Sequence, residues 1–289
     1  MEHLHTLGEW RAFARDQRAA GRTVGLVPTM GALHAGHVAL VRRARDAGDV
    51  VMLTSFVNPR QFNDPTDLSR YPSTPAADVA LAREAGVDAL ITPALSEMWP
   101  DFPEATDTTV HVARLSQHFE GADRPGHFDG VASVVAKLFN LTGECRAYFG
   151  EKDFQQLAVV RRLVRDLGFA VEVVGVPTVR DETGLALSSR NARLSDDGRH
   201  RALAFSRALR EARITSRPAS QLGALATAIL TASGVDVAYA TVVDPATLVP
   251  LTDSASGPGR LLLAGWVEGV RLIDNDDVTV TGDDHVVSH

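Results

Sequence analysis

The stretch TVGLVPTMGALHAGHVALVRRARDAG, residues 23–48, decides the fold. Its first five residues are an apolar run of strand length. A turn carrying Gly31 and Gly36 follows, and residues 37–47 continue with helical spacing to a stop at Gly48. A strand leading through a glycine-bearing turn into a helix is the repeating step of a parallel sheet. The turn also predicts chemistry, because a helix N-terminus presents unpaired N–H groups and a positive dipole end that attract phosphate. His34 and His37, three residues apart, fall on one side of the first helical turn and can donate to phosphate oxygens, whether neutral or protonated. No GK[ST] ends the segment, so it is not a Walker-type loop. Zinc is disfavoured, since HxxH is not HExxH and Cys145 has no cysteine neighbour.

The same alternation extends outward. Thr6 and Glu9 have capping-box spacing ahead of an amphipathic opening helix that closes at Gly21. Apolar runs at 23–27, 50–56, 87–92 and 170–176 alternate with helical stretches at 37–47, 75–85, 131–141 and 154–167. Gly48, Gly86, Gly143 and Gly168 stand where left-handed helix stops are wanted. The predicted class is α/β, a Rossmann-like parallel sheet with helices on both faces. After Pro177 the pattern changes: residues 188–214 read as one helix, 223–234 as another, and 235–243 and 260–273 as strands. This predicts a smaller C-terminal α+β domain, with a boundary near Val179 that gives domains 1–178 and 179–289.

With 289 residues and 45% hydrophobic content, the chain can bury a large core. No run approaches the roughly 20 apolar residues of a membrane span, and the start MEHLHTLGEW lacks the basic and apolar regions of a signal peptide. The expectation is a cytoplasmic protein with no membrane partner. A single cysteine fits a reducing compartment, and Cys145 reads as a small filler. The formal net charge of −7 is the wrong sign for a nucleic-acid partner. The acidic stretch that opens with DNDD at Asp274 and includes Asp283 reads as a solvated, frayed terminus.

PTMGALHAGH (28–37) is a HIGH-type signature of the nucleotidyltransferase superfamily. Five further blocks follow in order: NPRQF (58–62), RYP (70–72), RPGHFDGV (124–131), FGEKDFQQL (149–157) and LALSSRN (185–191). Together with a weaker GWVEGVRLIDN (265–275), they resemble the pantothenate synthetases, the pantoate–β-alanine ligases. Six ordered blocks are far more specific than one HIGH-like turn. The resemblance implies that ATP and (R)-pantoate give pantoyl adenylate and pyrophosphate, and that β-alanine then attacks the mixed anhydride to release AMP and pantothenate. Two other readings of the turn remain: a nucleotidyltransferase acting on a phosphorylated substrate, and a non-catalytic nucleotide-binding protein.

The resemblance also implies residue roles. His37, His34 and Lys152 would carry catalysis. ATP contacts would come from the turn residues Met30, Gly31, Ala32, Leu33, Ala35 and Gly36 with the two histidines. Gly150, Glu151, Lys152 and Asp153, beyond a strand ending at Phe149 and Gly150, would add to them. From the later part of the chain would come Val179, Leu187, Ser188, Ser189 and Arg190, although Ser188 or Ser189 can equally cap a helix. Gln61 and Gln156 match the pantoate-binding glutamines, neutral amides that orient an acid without neutralising the attacking carboxylate. Gln155 would be a structural neighbour. Arg124 and His127 would stand near the substrates, with a turn built on Pro125 and Gly126 as the structural alternative.

Asn58 and Tyr71 are weaker candidates, and residues 59–71 are a candidate cover over the site. Mg2+ would accompany ATP with its ligands unassigned; Asp78 lies near the site in the family but also suits a helix start. The family implies a homodimer and small-molecule partners: pantoate, β-alanine and ATP. Two departures from the family wording are Phe154, where tyrosine is common, and Arg60, where an apolar residue is usual and which could alter the site's rim or face solvent.

Overall fold

A computed structural model of the chain describes residues 1–282. Its central feature is an all-parallel six-stranded sheet of β1 (Glu2–Leu4), β2 (Val24–Thr29), β3 (Val50–Ser55), β4 (Ala89–Ile91), β5 (Cys145–Gly150) and β6 (Val171–Val176). The spatial order is β1-β4-β3-β2-β5-β6. From β2 the chain steps through β3 to β4, then returns to lay β5 against the other side of β2. Open α/β sheets bind ligands beyond the carboxyl ends of their strands at such a reversal.

The strands are joined by α1 (Leu7–Ala19), α2 (Ala35–Asp46), the short α3 (Pro65–Ser69), α4 (Pro75–Glu84), the short α5 (Leu95–Met98) and α6 (Glu120–Asp123), α7 (His127–Thr142) and α8 (Phe154–Leu167). Strand side chains alternate between two cores, as the two-residue period requires. Leu26, Met52, Ile91 and Ala147 pack with Trp10 of α1, Phe139 of α7 and Leu163 of α8. Val27, Leu53, Leu90 and Tyr148 pack with Val41 of α2 and Ala82 of α4. The sheet is therefore covered on both faces. Trp10 is fully buried, and its indole N–H donates to Thr142 Oγ1 at 3.0 Å. At Gly25 a Cβ would stand 3.2 Å from the Ala44 Cβ and 2.9 Å from that of Asp49, so glycine lets α2 lie close on β2.

The predicted opening helix is present with its capping box: Thr6 accepts from the Glu9 N–H and Glu9 reaches back to the Thr6 N–H. Other expectations need correction. The apolar runs omit β1 and the body of β5, because β1 is only three residues long and Arg146 interrupts CRAYFG. That arginine is held by the buried Asp49 at 2.7 Å, which also accepts from the Tyr148 hydroxyl at 2.6 Å. β2 runs on to Thr29, and Pro28, which has no N–H, falls beyond the last β2–β5 pair, Leu26 with Ala147. Gly143 has positive φ (74°) but ψ of −151°, outside the left-handed helical region that Gly168 occupies. Burial pushes the Cys145 thiol up to about 12, in keeping with a filler.

The chain divides into two compact units between Thr178 and Val179. The second contains α9 (Asp196–Arg213), α10 (Ala219–Ala232) and a three-stranded antiparallel sheet of β7 (Asp236–Val243), β8 (Gly257–Val267) and β9 (Val270–Val280), in that order. Residues 188–214 are not one helix. A 3-10 turn at Ser189–Arg193 is followed by Ser195, which caps α9 by accepting from the Gly198 N–H at 3.0 Å. The Ser195 N–H and hydroxyl donate to Glu268, which stands with Gly269 at positive φ in the tight β8–β9 turn.

The DNDD stretch is not a frayed terminus, since Asp274 to Asp277 lie within β9. Asp274 is buried against Arg180, which donates to it twice, at 2.6 and 3.0 Å. Asp283 lies outside the described residues. Among the described residues no helix is long and apolar enough to cross a membrane.

Candidate functional site

The turn between β2 and α2 is fastened at almost every N–H. Gly31 donates to Thr29 Oγ1 (3.1 Å), Ala32 and Leu33 to the two oxygens of Asp78 (3.0 and 2.9 Å), His34 to His37 Nδ1 (3.2 Å) and Gly36 to His34 Nδ1 (3.1 Å). His37 and Val38 donate to the His34 carbonyl. Within residues 31–38 this leaves Ala35 alone with no partner for its N–H among the described residues. The expectation of a row of unpaired N–H groups is therefore corrected, because side chains take them up and the donors available to a phosphate move out to the imidazoles.

Each of those imidazoles accepts a backbone N–H at Nδ1, so Nδ1 carries no proton and Nε2 does. Burial, followed by the neighbouring His34, brings His37 down to about 3; burial, followed by the Lys152 ammonium, lowers His34. The rings lie with centroids 4.1 Å apart. The site thus displays two neutral Nε2–H donors side by side, and the protonated alternative is set aside.

β5 lies beside β2, and its carboxyl end carries Gly150 and the 3-10 turn Glu151–Asp153 into α8. This places Lys152 close enough to depress His34, while the Asp153 carboxylate acts in the opposite, raising direction on both histidines. Lys152 pairs with Asp153 at 3.6 Å. In the first turn of α8, Gln156 is half-buried and its amide has no protein partner among the described residues. Gln155 is structural: it donates to the Leu115 and His118 carbonyls and accepts from the Glu120 N–H. Phe154 is buried in packing.

On the other side of β2, the chain leaves β3 and forms a 3-10 turn at Pro59–Gln61. Gln61 is buried, and its amide has a definite orientation. The Trp99 indole can only donate, and it does so to Asn58 Oδ1 at 2.9 Å; Asn58 Nδ2 then donates to Gln61 Oε1 at 3.0 Å. Gln61 therefore keeps its Nε2 hydrogens for a ligand oxygen. The backbone is pinned as well: His127 Nδ1 donates to the Gln61 carbonyl at 2.7 Å, and Arg124 reaches that carbonyl and His127 Nε2. Arg124 and His127 thus come together with Gln61 and brace it. A Cβ at Gly130 would stand 2.2 Å from the Arg60 carbonyl, so glycine admits α7 against this turn. Arg60 is half-buried: its guanidinium lies over Trp99 and Phe102 and donates to the Glu104 carbonyl at 2.6 Å. Tyr71 packs edge-on against Phe62.

In the second unit the Leu187 N–H donates to the Val179 carbonyl, Ser188 caps the 3-10 turn by accepting from the Arg190 N–H, and Asn191 is buried with its amide on the Ala186 carbonyl. The Arg180–Asp274 pair ties this segment to β9. Val179, Leu187, Ser188, Ser189 and Arg190 thus form one local structure. Sequence reading missed Trp99 entirely and did not give Asp78 its contacts with the turn. Asp78 looks like an ordinary helix-start acid, and nothing in spacing alone ties either residue to a partner more than 40 positions away.

A family model described as pantoate-beta-alanine ligase matches residues 2–276. The pantothenate synthetase of Cereibacter sphaeroides (strain ATCC 17029) is 52% identical over 276 residues, spanning 94% of this chain and 98% of that protein. The one from Paracoccus denitrificans is 51% identical over 281 residues, spanning 96% and 98%. Among solved structures, a pantothenate synthetase from Thermus thermophilus has a TM-score of 0.86 at 48% identity, covering 96% of this chain and 99% of its own. The pantoate–β-alanine ligase from Francisella tularensis, solved in complex with β-γ ATP and β-alanine, has a TM-score of 0.80 at 31% identity, covering 96% and 97%. With the fold, the ordered blocks and near-complete coverage in agreement, the chain belongs to the pantoate–β-alanine ligase family.

Proposed function

We infer that the chain joins (R)-pantoate to β-alanine at the expense of ATP, and that the carboxyl ends of β3, β2 and β5 carry the chemistry. The observation that supports this most is the pair of neutral Nε2–H donors at the end of β2, with Lys152 arriving from β5 beside it. A pantoate carboxylate oxygen attacks the α-phosphorus and pyrophosphate leaves. The β-alanine nitrogen then attacks the acyl carbon, loses its proton, and expels AMP with that same carboxylate oxygen. Negative charge grows on the phosphates in the first step, where His34, His37 and Lys152 donate to it. Neutral imidazoles suit this role, since they give hydrogen bonds without an ion pair that would hold the carboxylate away from phosphorus.

Gln61 and Gln156 orient the acid, and β3 and β5 stand about 10 Å apart on either side of β2, a gap that two glutamine side chains and a small acid can fill. Arg124 and His127 serve it by holding Gln61. In this proposal residues 1–178 bind nucleotide and pantoate, with ATP lying along residues 30–37 and 150–153. Val179, Leu187, Ser188, Ser189 and Arg190 of the second unit are proposed as further ATP contacts. Mg2+ is proposed to enter on the phosphates of ATP, screening their charge. Among the described residues no three His, Cys, Asp or Glu side chains converge, and both oxygens of Asp78 are engaged by the turn, so no protein ligands are assigned.

Pantoate labelled with oxygen-18 in its carboxylate tests the chemistry. Label appearing in the AMP phosphoryl group is expected, and unlabelled AMP would contradict adenylyl transfer to the acid. The proposal includes a cytoplasmic homodimer; sedimentation equilibrium should give twice the 31.0 kDa chain mass, and a monomer would contradict the dimer.

A further inference from the structure

Asp78 lies in the first turn of α4 and is buried. Its Oδ2 accepts the Ala32 N–H at 3.0 Å, and its Oδ1 accepts the Leu33 N–H at 2.9 Å and the Thr74 hydroxyl at 2.9 Å. The two backbone N–H groups can only donate, so both carboxylate oxygens are held by the turn, with Thr74 on Oδ1 as a third partner. The turn needs this hold. Gly31 and Ala32 both have positive φ, 78° and 48°, and Ala32 carries a Cβ that disfavours that region. A Cβ at Gly31 would lie 2.9 Å from Asp78 Oδ2 and 2.8 Å from Ser55 Oγ, so the chain passes directly over the carboxylate. Two residues further on, the same backbone delivers His34, whose N–H sets the His37 tautomer and whose own ring is set by Gly36. The third bond reaches Thr74, which opens α4 and ends the segment that begins with the Gln61 turn.

We propose that Asp78 is a positioning residue for adenylate formation: its carboxylate clamps Ala32 and Leu33 so that the His34 and His37 Nε2–H donors are presented together, and links that turn through Thr74 to the segment carrying Gln61. This rests on the adenylyl-transfer function inferred above.

The test uses Asp78→Asn and Thr74→Val in the full-length chain. Asparagine keeps the volume but turns an NH2 toward one of the two N–H donors, whereas valine removes only the third donor at an exposed position. Two measurements are made: steady-state kinetics of pantoate-dependent pyrophosphate exchange, and long-range 1H–15N spectra of the imidazoles. Asp78→Asn is expected to lower the exchange kcat at least tenfold with the KM for pantoate within twofold, and to shift the His37 nitrogens from the Nε2–H pattern. Thr74→Val should show the same changes, three- to tenfold in kcat. A folded Asp78→Asn protein with wild-type kcat, or with unshifted imidazole nitrogens, would overturn the proposal. If Asp78→Asn does not fold, a wild-type kcat and spectrum in Thr74→Val overturns it. Absence of exchange in the wild-type protein would instead strike the inferred function, and the imidazole spectra would still decide the positioning role.

Discussion

At the residue scale, the chemistry depends on hydrogen-bond direction more than on charge. Both histidines are held as neutral Nε2–H donors by backbone amides, so removing one should resemble the loss of a single transition-state donor. His37→Ala is expected to cut the rate of adenylate formation by about 10²–10³ with little change in melting temperature. A fully active variant would refute its role. The free-enzyme kcat/KM for ATP should show no fall between pH 6 and 8 from imidazole deprotonation, because burial already keeps His37 neutral. Trp99→Phe removes the indole N–H that Asn58 Oδ1 accepts, which together with the Asn58 Nδ2 bond to the Gly130 carbonyl orients Asn58 and through it Gln61. The expected result is a pantoate KM raised about tenfold, the scale of one buried hydrogen bond, with the ATP KM unchanged. An unchanged pantoate KM would show that Gln61 orients without this relay. The histidines and glutamines were legible because each sits in a recognisable block. Trp99 was not, since a tryptophan in ITPALSEMWP reads as core and only the folded chain brings its N–H to Asn58.

At the scale of elements, the helix–strand alternation could be read from apolar runs and glycine stops, and capping-box spacing located α1. The departures share a physical cause, which is polar residues whose partners are remote in sequence. Arg146 obscures β5 because Asp49, which neutralises it, is 97 positions away. Asp274 made β9 look like a tail because Arg180 is 94 positions away. The supposed long helix at 188–214 breaks at Ser195, which caps α9 and is held by Glu268 of a hairpin, another contact that no local pattern contains. Packing of α7 against the Gln61 turn gives a test at this scale. Gly130→Ala puts a methyl group 2.2 Å from the Arg60 carbonyl, too close to be absorbed without moving one element. A loss of about 1–3 kcal/mol of stability is expected from such overpacking, together with a raised pantoate KM. Normal stability and KM in Gly130→Ala would contradict the close seating of α7.

For the whole molecule, the neutral histidines tie stability to pH. In the unfolded chain an imidazole takes up a proton below its ordinary 6.5, whereas folded His37 resists protonation down to about 3. The unfolded state then binds more protons across that interval. The contribution is fully present above about pH 6.5 and is lost as the pH falls toward 3. Urea midpoints measured between pH 7 and 4 should fall more steeply in the native protein than in His37→Gln; equal slopes would contradict a neutral, buried His37. The most direct test of adenylyl transfer is isotope exchange in the intact enzyme. With ATP, Mg2+, (R)-pantoate and labelled pyrophosphate, and no β-alanine, label should enter ATP only when pantoate is present, and adding β-alanine should then yield pantothenate. Folded protein that exchanges no label, or that exchanges it equally without pantoate, would contradict a pantoyl adenylate formed at the β2–α2 turn.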